Sequence, residues 1–157
     1  MKYNTATDIV LCAVPRMGIY YPPGAPAILK AYLNTENISS VVLDFVLLFH
    51  KKYFGTKHWE RIINWFVAPH IHDKLIVDLL DKEIESWVDK IFSYNPTWIG
   101  ISVFSYESHK ITKYLIYKLK SRNLNCKIVL GGNGITDGSK NYADDLYQNG
   151  LIDKYIL

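Results

Sequence analysis

Four groups of residues have side chains and spacings suited to chemistry. The first is the run Lys127-Ile128-Val129-Leu130-Gly131-Gly132-Asn133-Gly134, an apolar stretch ending in a glycine-rich turn. Gly132-x-Gly134-x-x-x-Gly138 comes close to a dinucleotide fingerprint. Such a fingerprint sits in the first βα turn, with an acidic residue ending the next strand. Here the turn follows the fourth apolar run, and Asp153 precedes the fifth, so the spacing argues against a dinucleotide. Two readings remain open. The turn is merely tight, or Gly131 and Gly132 let a bulky ligand lie against backbone that a Cβ would shield.

Ser102 and Ser105 end the apolar run Trp98–Phe104. A serine there hydrogen-bonds a ligand or caps the following helix. Nucleophilic chemistry needs a base, and His109 is near in sequence, but the G-x-S-x-G elbow is missing. The third group is His70-x-His72-Asp73. Residues two apart face different ways on a helix, and neither H-E-x-x-H nor C-x-x-C accompanies them, so no metal site is assigned. His50 and His58, among Lys51, Lys52, Lys57 and Arg61, read as a basic exposed surface. The fourth group is the segment from Pro15 to Gly24. It offers a cation, Arg16, and the aromatic rings of Tyr20 and Tyr21, stiffened by Pro22 and Pro23.

These groups must be held by regular elements. Asp8–Val14 is an unbroken apolar run, the pattern of a strand buried on both faces. Prolines and glycines forbid helix over 15–24, and that loop is longer than the roughly 2–6 residues usual between strand and helix. A helix follows from Pro26, with Ile28, Leu29, Tyr32 and Leu33 as its apolar face. Val41–Phe45 is a second strand. A helical insert over 46–95 carries two patterns, one through Trp59, Ile62, Ile63 and Phe66, the other from about Asp73 to Phe92, with Pro69 between them. This insert is expected to cover the sheet without a ligand site of its own. Trp98–Phe104 is the third strand. Ile111, Tyr114, Leu115 and Leu119 mark the next helix, Cys126–Leu130 the fourth strand, Ser139–Gln148 a short helix, and Lys154–Leu157 a fifth strand.

Alternation of this kind predicts an α/β fold, a doubly wound, open, parallel five-stranded sheet of flavodoxin-like order 2-1-3-4-5. Ligands of such sheets bind at the carboxyl edge. The whole chain, 1–157, reads as a single domain. Ending on a strand, it looks like a piece cut from a longer protein or a natural minimal domain.

Composition bounds the function. With 49% apolar and 21% charged residues the chain is globular. A net charge of +3 without a basic stripe gives no case for nucleic acid. No apolar run reaches the roughly 20 residues of a membrane span, and no signal peptide is read. Cys12 and Cys126 fall within predicted strands, as small buried hydrophobes of a reducing, cytoplasmic setting.

Five segments in order resemble a known family. They are Val14-Pro15 with Tyr21-Pro22-Pro23-Gly24-Ala25-Pro26 through Leu33; Val42-Leu43-Asp44; Pro96-Thr97-Trp98-Ile99-Gly100-Ile101-Ser102; Val129–Gly134; and Gly150–Ile156. Together they are similar to the cobalamin-binding domain that precedes the barrel of cobalamin-dependent radical S-adenosylmethionine enzymes. The resemblance spans the chain outside the insert. It implies a corrinoid held by Pro15, Arg16, Met17 and Tyr21 of the loop, by Asp44, by Ser102, Phe104 and Ser105, and by Gly131, Gly132 and Asn133. The nucleotide tail of such a cofactor needs small residues, here Ser102, Gly131 and Gly132.

The departures are informative. The D-x-H-x-x-G signature of cobalamin carriers is missing, so no histidine is assigned to cobalt, and Gly134 stands where a histidine is common. The C-x-x-x-C-x-x-C cluster motif is absent. An iron–sulfur cluster and S-adenosylmethionine therefore enter only through a barrel supplied in cis or in trans. On this reading the chain is not catalytic alone but belongs with a radical methyltransferase or related enzyme. Two alternatives stay open: a cofactor-free regulatory or interaction domain on the same fold, and a nucleotide- or flavin-binding enzyme.

Overall fold

The computed structural model describes residues 6–16, 24–68, 70–122, 127–135 and 140–157. Five strands form one parallel sheet: β1 (Ile9–Ala13), β2 (Ser40–Asp44), β3 (Trp98–Ser102), β4 (Lys127–Gly131) and β5 (Lys154–Tyr155). Their order is β2-β1-β3-β4-β5, as the alternation of elements predicts. The helices are α1 (Gly24–Thr35), α2 (Phe45–Tyr53), α3 (Trp59–Val67), α4 (Lys74–Phe92), α5 (His109–Ser121) and α6 (Lys140–Gln148).

Strand alternation sorts the sheet into two faces. Val10 and Cys12 of β1, Ile99 and Ile101 of β3, and Ile128 and Leu130 of β4 belong to the buried core with Ile84, Trp87 and Ile91 of α4, Ile111 and Leu115 of α5, and Leu146 of α6. The opposite face presents Ile9, Leu11 and Ala13 from β1, with Trp98, Gly100 and Ser102 in register beside them. This second face is more lightly covered. Trp98 is half-buried there, and the ammoniums of Lys127 and Lys154 lie 5.3 and 5.8 Å from its ring centre.

Three local details differ from the sequence expectation. The insert holds three helices, because α2 starts directly at the end of β2. Asp44 Oδ1 accepts from the Leu47 amide at 2.9 Å and caps it. Apolar runs on both sides of Asp44, Val41–Leu43 and Phe45–Phe49, hide that change of period. On α1, Ile28, Leu29 and Tyr32 are exposed, while Leu33 is half-buried and Pro26 is buried, so only Leu33 of the expected apolar face is on the packed side. The strands are also shorter: β3 ends at Ser102 instead of Phe104 and β5 at Tyr155.

The insert builds a real core of its own. Phe45 stacks on Trp87 with ring centres 4.8 Å apart, and Phe49 packs edge-on to Phe66 and Trp87. Burial of these rings supplies the apolar driving force that holds three helices against the sheet. Outside, Arg122 bridges Glu85 and Asp89, and Lys118 bridges Asp81 and Glu85, tying α5 to α4. The first of these pairs raises the Arg122 pKa, chiefly through Asp89.

Candidate functional site

Parallel pairing lines up the ends of the central strands. Ala13 pairs with Asp44 on one side and Ser102 on the other, and Ser102 pairs with Gly131. All sit at the carboxyl edge on the second face. The row across β1, β3 and β4 is therefore alanine, serine, glycine, with almost no side-chain bulk. One pleat further back, Leu11 fills the space beside Gly100, where a Cβ would lie 2.8 Å from Leu11 Cδ2. At Gly131 a Cβ would meet nothing within 4 Å. The trough is thus shallow at Gly100 and open at Gly131.

Gly132 and Gly134 have a different task from the one the sequence offers them. Gly132 has φ +108°, and a Cβ there would lie 2.5 Å from the Val103 carbonyl oxygen. On Gly134 it would lie 2.7 Å from the Ser105 nitrogen. The Gly134 amide donates to the Val103 carbonyl at 2.8 Å. The turn after β4 is therefore pressed against the chain leaving β3, and these two glycines serve that close approach. Space for a ligand is left at Gly131, not at Gly132. Asn133 opens the short 3-10 turn Asn133–Ile135 and is exposed.

Ser105 precedes the 3-10 turn Tyr106–Ser108 but makes no side-chain capping bond. Its Oγ is buried and has no hydrogen-bond partner. A buried hydroxyl without a partner costs free energy that a ligand donor or acceptor recovers. Next to it, Phe104 is about half exposed, and the Arg16 guanidinium lies 3.8 Å over its ring. Arg16 and Phe104, from the exits of β1 and β3, thus form one flat cationic and aromatic step at the edge.

The exit of β1 is clamped twice. Ser108 Oγ donates to the Pro15 carbonyl at 2.9 Å. His50 Nε2 donates to the Arg16 carbonyl at 2.8 Å, and its Nδ1 is buried without a partner. His50 is 2% exposed. This corrects the reading of a basic exposed surface, and the spacing contained the signal: position 50 follows Val46 by four residues on the buried face of α2. Ser108 gave no signal in the sequence.

Asp44 lies beside the trough, its carboxylate committed in part to the α2 cap. Met17 and Tyr21, with the rest of the loop after Arg16, lie outside the described residues, as do Cys126 and Gly138. His109 does not serve Ser105. Its Nε2 donates to the Gly134 carbonyl at 2.8 Å and its ring stacks on Tyr142 at 3.9 Å. Burial raises the pKa of the Tyr142 hydroxyl and of the Cys12 thiol well above their ordinary values. Asp73 is engaged by Arg61 through two 2.7 Å contacts and caps α4. The Arg61 guanidinium is the main cause of its lowered pKa. Among the described residues no helix is long and apolar enough to cross a membrane.

No protein-family model matches the sequence, and no curated protein matches it. Among solved structures the chain is similar to a cobalamin-binding protein from Desulfitobacterium hafniense, at 15% sequence identity and a TM-score of 0.54. The match covers 96% of this chain and 53% of the other, so the chain spans about half the length of that protein. At this identity the likeness is one of fold: an open parallel α/β sheet of order 2-1-3-4-5 with helices on both faces.

Proposed function

We propose that this chain is a corrinoid-binding domain, residues 1–157, with 46–95 as its helical insert. The observation that carries the reading is the alanine–serine–glycine row at Ala13, Ser102 and Gly131, open at Gly131. A corrinoid has a broad ring and a narrow tail. The tail fits where side chains are small, and the ring needs a wide, mostly apolar platform with a few polar contacts. Phe104 and Arg16 offer that platform, with Asp44 and Asn133 around it. The solved protein of the same fold being cobalamin-binding supports the choice of ligand.

When bound, the corrinoid supplies cobalt chemistry. The chain's own residues bind and orient it, with Ser102 and Ser105 as hydrogen-bonding groups and Gly131 as the opening. The reading places the domain beside a radical S-adenosylmethionine barrel, in cis or in trans, which would hold the iron–sulfur cluster. The nucleotide or flavin alternative gains no support, because Gly132 and Gly134 are consumed by packing against Val103 and Ser105. Spectral titration with hydroxocobalamin tests the proposal. Binding tighter than about 100 µM, roughly −5.5 kcal/mol, is expected. Its absence transfers the case to a cofactor-free interaction domain.

A further inference from the structure

A cavity of about 690 Å³ lies in the helical insert, between the end of α2 and the outer side of α4. None of its lining residues belongs to the carboxyl edge. Its size falls within the roughly 300–1,000 Å³ of small-molecule sites. At its inner wall is Glu83, the one buried carboxylate among the described residues. Tyr53 Oη donates to it at 2.8 Å, Trp87 Nε1 at 3.1 Å, and the Lys52 ammonium pairs with it. Burial, followed by the Glu83 contact, raises the Tyr53 pKa. Only the carboxylate of this pair is buried, while the Lys52 side chain is exposed at the cavity rim. The cavity thus has a fully engaged carboxylate at its inner wall and ammonium groups at its mouth.

The rest of the lining has two characters. Tyr53, Leu75 and Leu79 give an apolar floor, with Leu75 46% exposed. Lys52, Lys74 and Lys82 give a cationic rim, joined by His58. Lys52 is exposed at the rim, where its ammonium pairs with Glu83. Lys74 and Lys82 flank the single Asp78 at four-residue spacing on α4, leaving an excess of positive charge there.

We propose that this cavity binds an amphipathic anion, with a carboxylate or phosphate head on the Lys52, Lys74 and Lys82 ammoniums and an apolar body on Tyr53, Leu75 and Leu79. The site is separate from the carboxyl edge and does not depend on the corrinoid reading. The test is calorimetric titration at low ionic strength with decanoate, decyl phosphate and the neutral decanol. At least one anion should bind tighter than about 1 mM, and decanol about tenfold more weakly or not at all. Whichever anion binds better identifies the head group.

The double variant Lys74→Glu/Lys82→Glu and the variant Leu75→Asp should each weaken anion binding by about tenfold or more, a change of roughly 1.4 kcal/mol. All three positions are exposed, so the fold should persist, as the unfolding midpoint will verify. The proposal is overturned if neither anion binds wild type up to about 1 mM, if decanol binds as well as the anions, or if either variant binds like wild type. Hydroxocobalamin titration of the same variants should match wild type. If wild type takes up no hydroxocobalamin, the corrinoid reading fails and the anion site is judged on its own titrations.

Discussion

Gly132 and Val103 are packed backbone to backbone, with the place of a Gly132 Cβ only 2.5 Å from the Val103 carbonyl oxygen. The contact joins the turn after β4 to the exit of β3, so it fixes the height of both at the carboxyl edge. Gly132→Ala must pay for a side chain at φ +108° and for moving a carbonyl. We expect a loss of about 2–4 kcal/mol in urea unfolding. Gly131→Ala, one residue earlier and facing open space, should stay within about 0.5 kcal/mol of wild type. Equal effects at the two positions would contradict the packing described.

Gly131 is also where the corrinoid reading is most exposed to failure. Gly131→Phe fills the trough without touching the core, so the protein should remain folded and lose hydroxocobalamin binding in the spectral titration. Ser102→Ala should cost about 0.5–1.5 kcal/mol of affinity, or more if a cofactor amide is left unpaired. Wild-type affinity in Gly131→Phe would move the ligand elsewhere.

Trp87 is 2% exposed, stacks on Phe45 and donates its indole N–H to Glu83. Trp87→Ala should cost about 3–5 kcal/mol of unfolding free energy. A loss under roughly 1 kcal/mol would mean that the insert's ring cluster is not a packed core.

Asp8 accepts from the Ser39 hydroxyl and amide, at 2.6 and 2.8 Å, which holds its pKa below the ordinary 3.8. A depressed carboxyl stabilises the fold above the unfolded value and loses that contribution as pH falls through the lower folded value. Asp8→Asn should therefore be less stable than wild type at pH near neutral, and the gap should close below 3.8. Chemical denaturation across that range would measure it. A gap that widens in acid would reverse the assignment.

Much of the fold was legible because buried parallel strands write themselves as apolar runs: Ile9–Ala13, Ile99 with Ile101, and Ile128 with Leu130. The order of strands followed from alternation and crossover handedness. The third insert helix was not legible, since apolar residues run on directly from Val41–Leu43 to Phe45–Phe49 and the cap that divides them, Asp44, resembles a strand-end ligand. At the edge, residue types pointed to Ser102, Ser105 and the glycines. Only register could separate an open Gly131 from a filled Gly132. Glu83 lies on the buried period of α4, between Leu80 and Trp87, but its charge reads as a solvated position, and Ser108 carries no period that marks it as buried.

The two clamps at the end of β1 bear on how separable this chain's parts are. Pro15 hangs on Ser108, which leads into α5, while Arg16 hangs on His50 of α2. A shortened protein, joining β2 to β3 through a single helix, would keep the first clamp and discard the second, leaving an interior carbonyl without its donor. Such a deletion is not a trimming of ornament. Whoever shortens the chain must replace His50 with a new donor from another element, or accept a β1 exit that no longer presents Arg16 to Phe104.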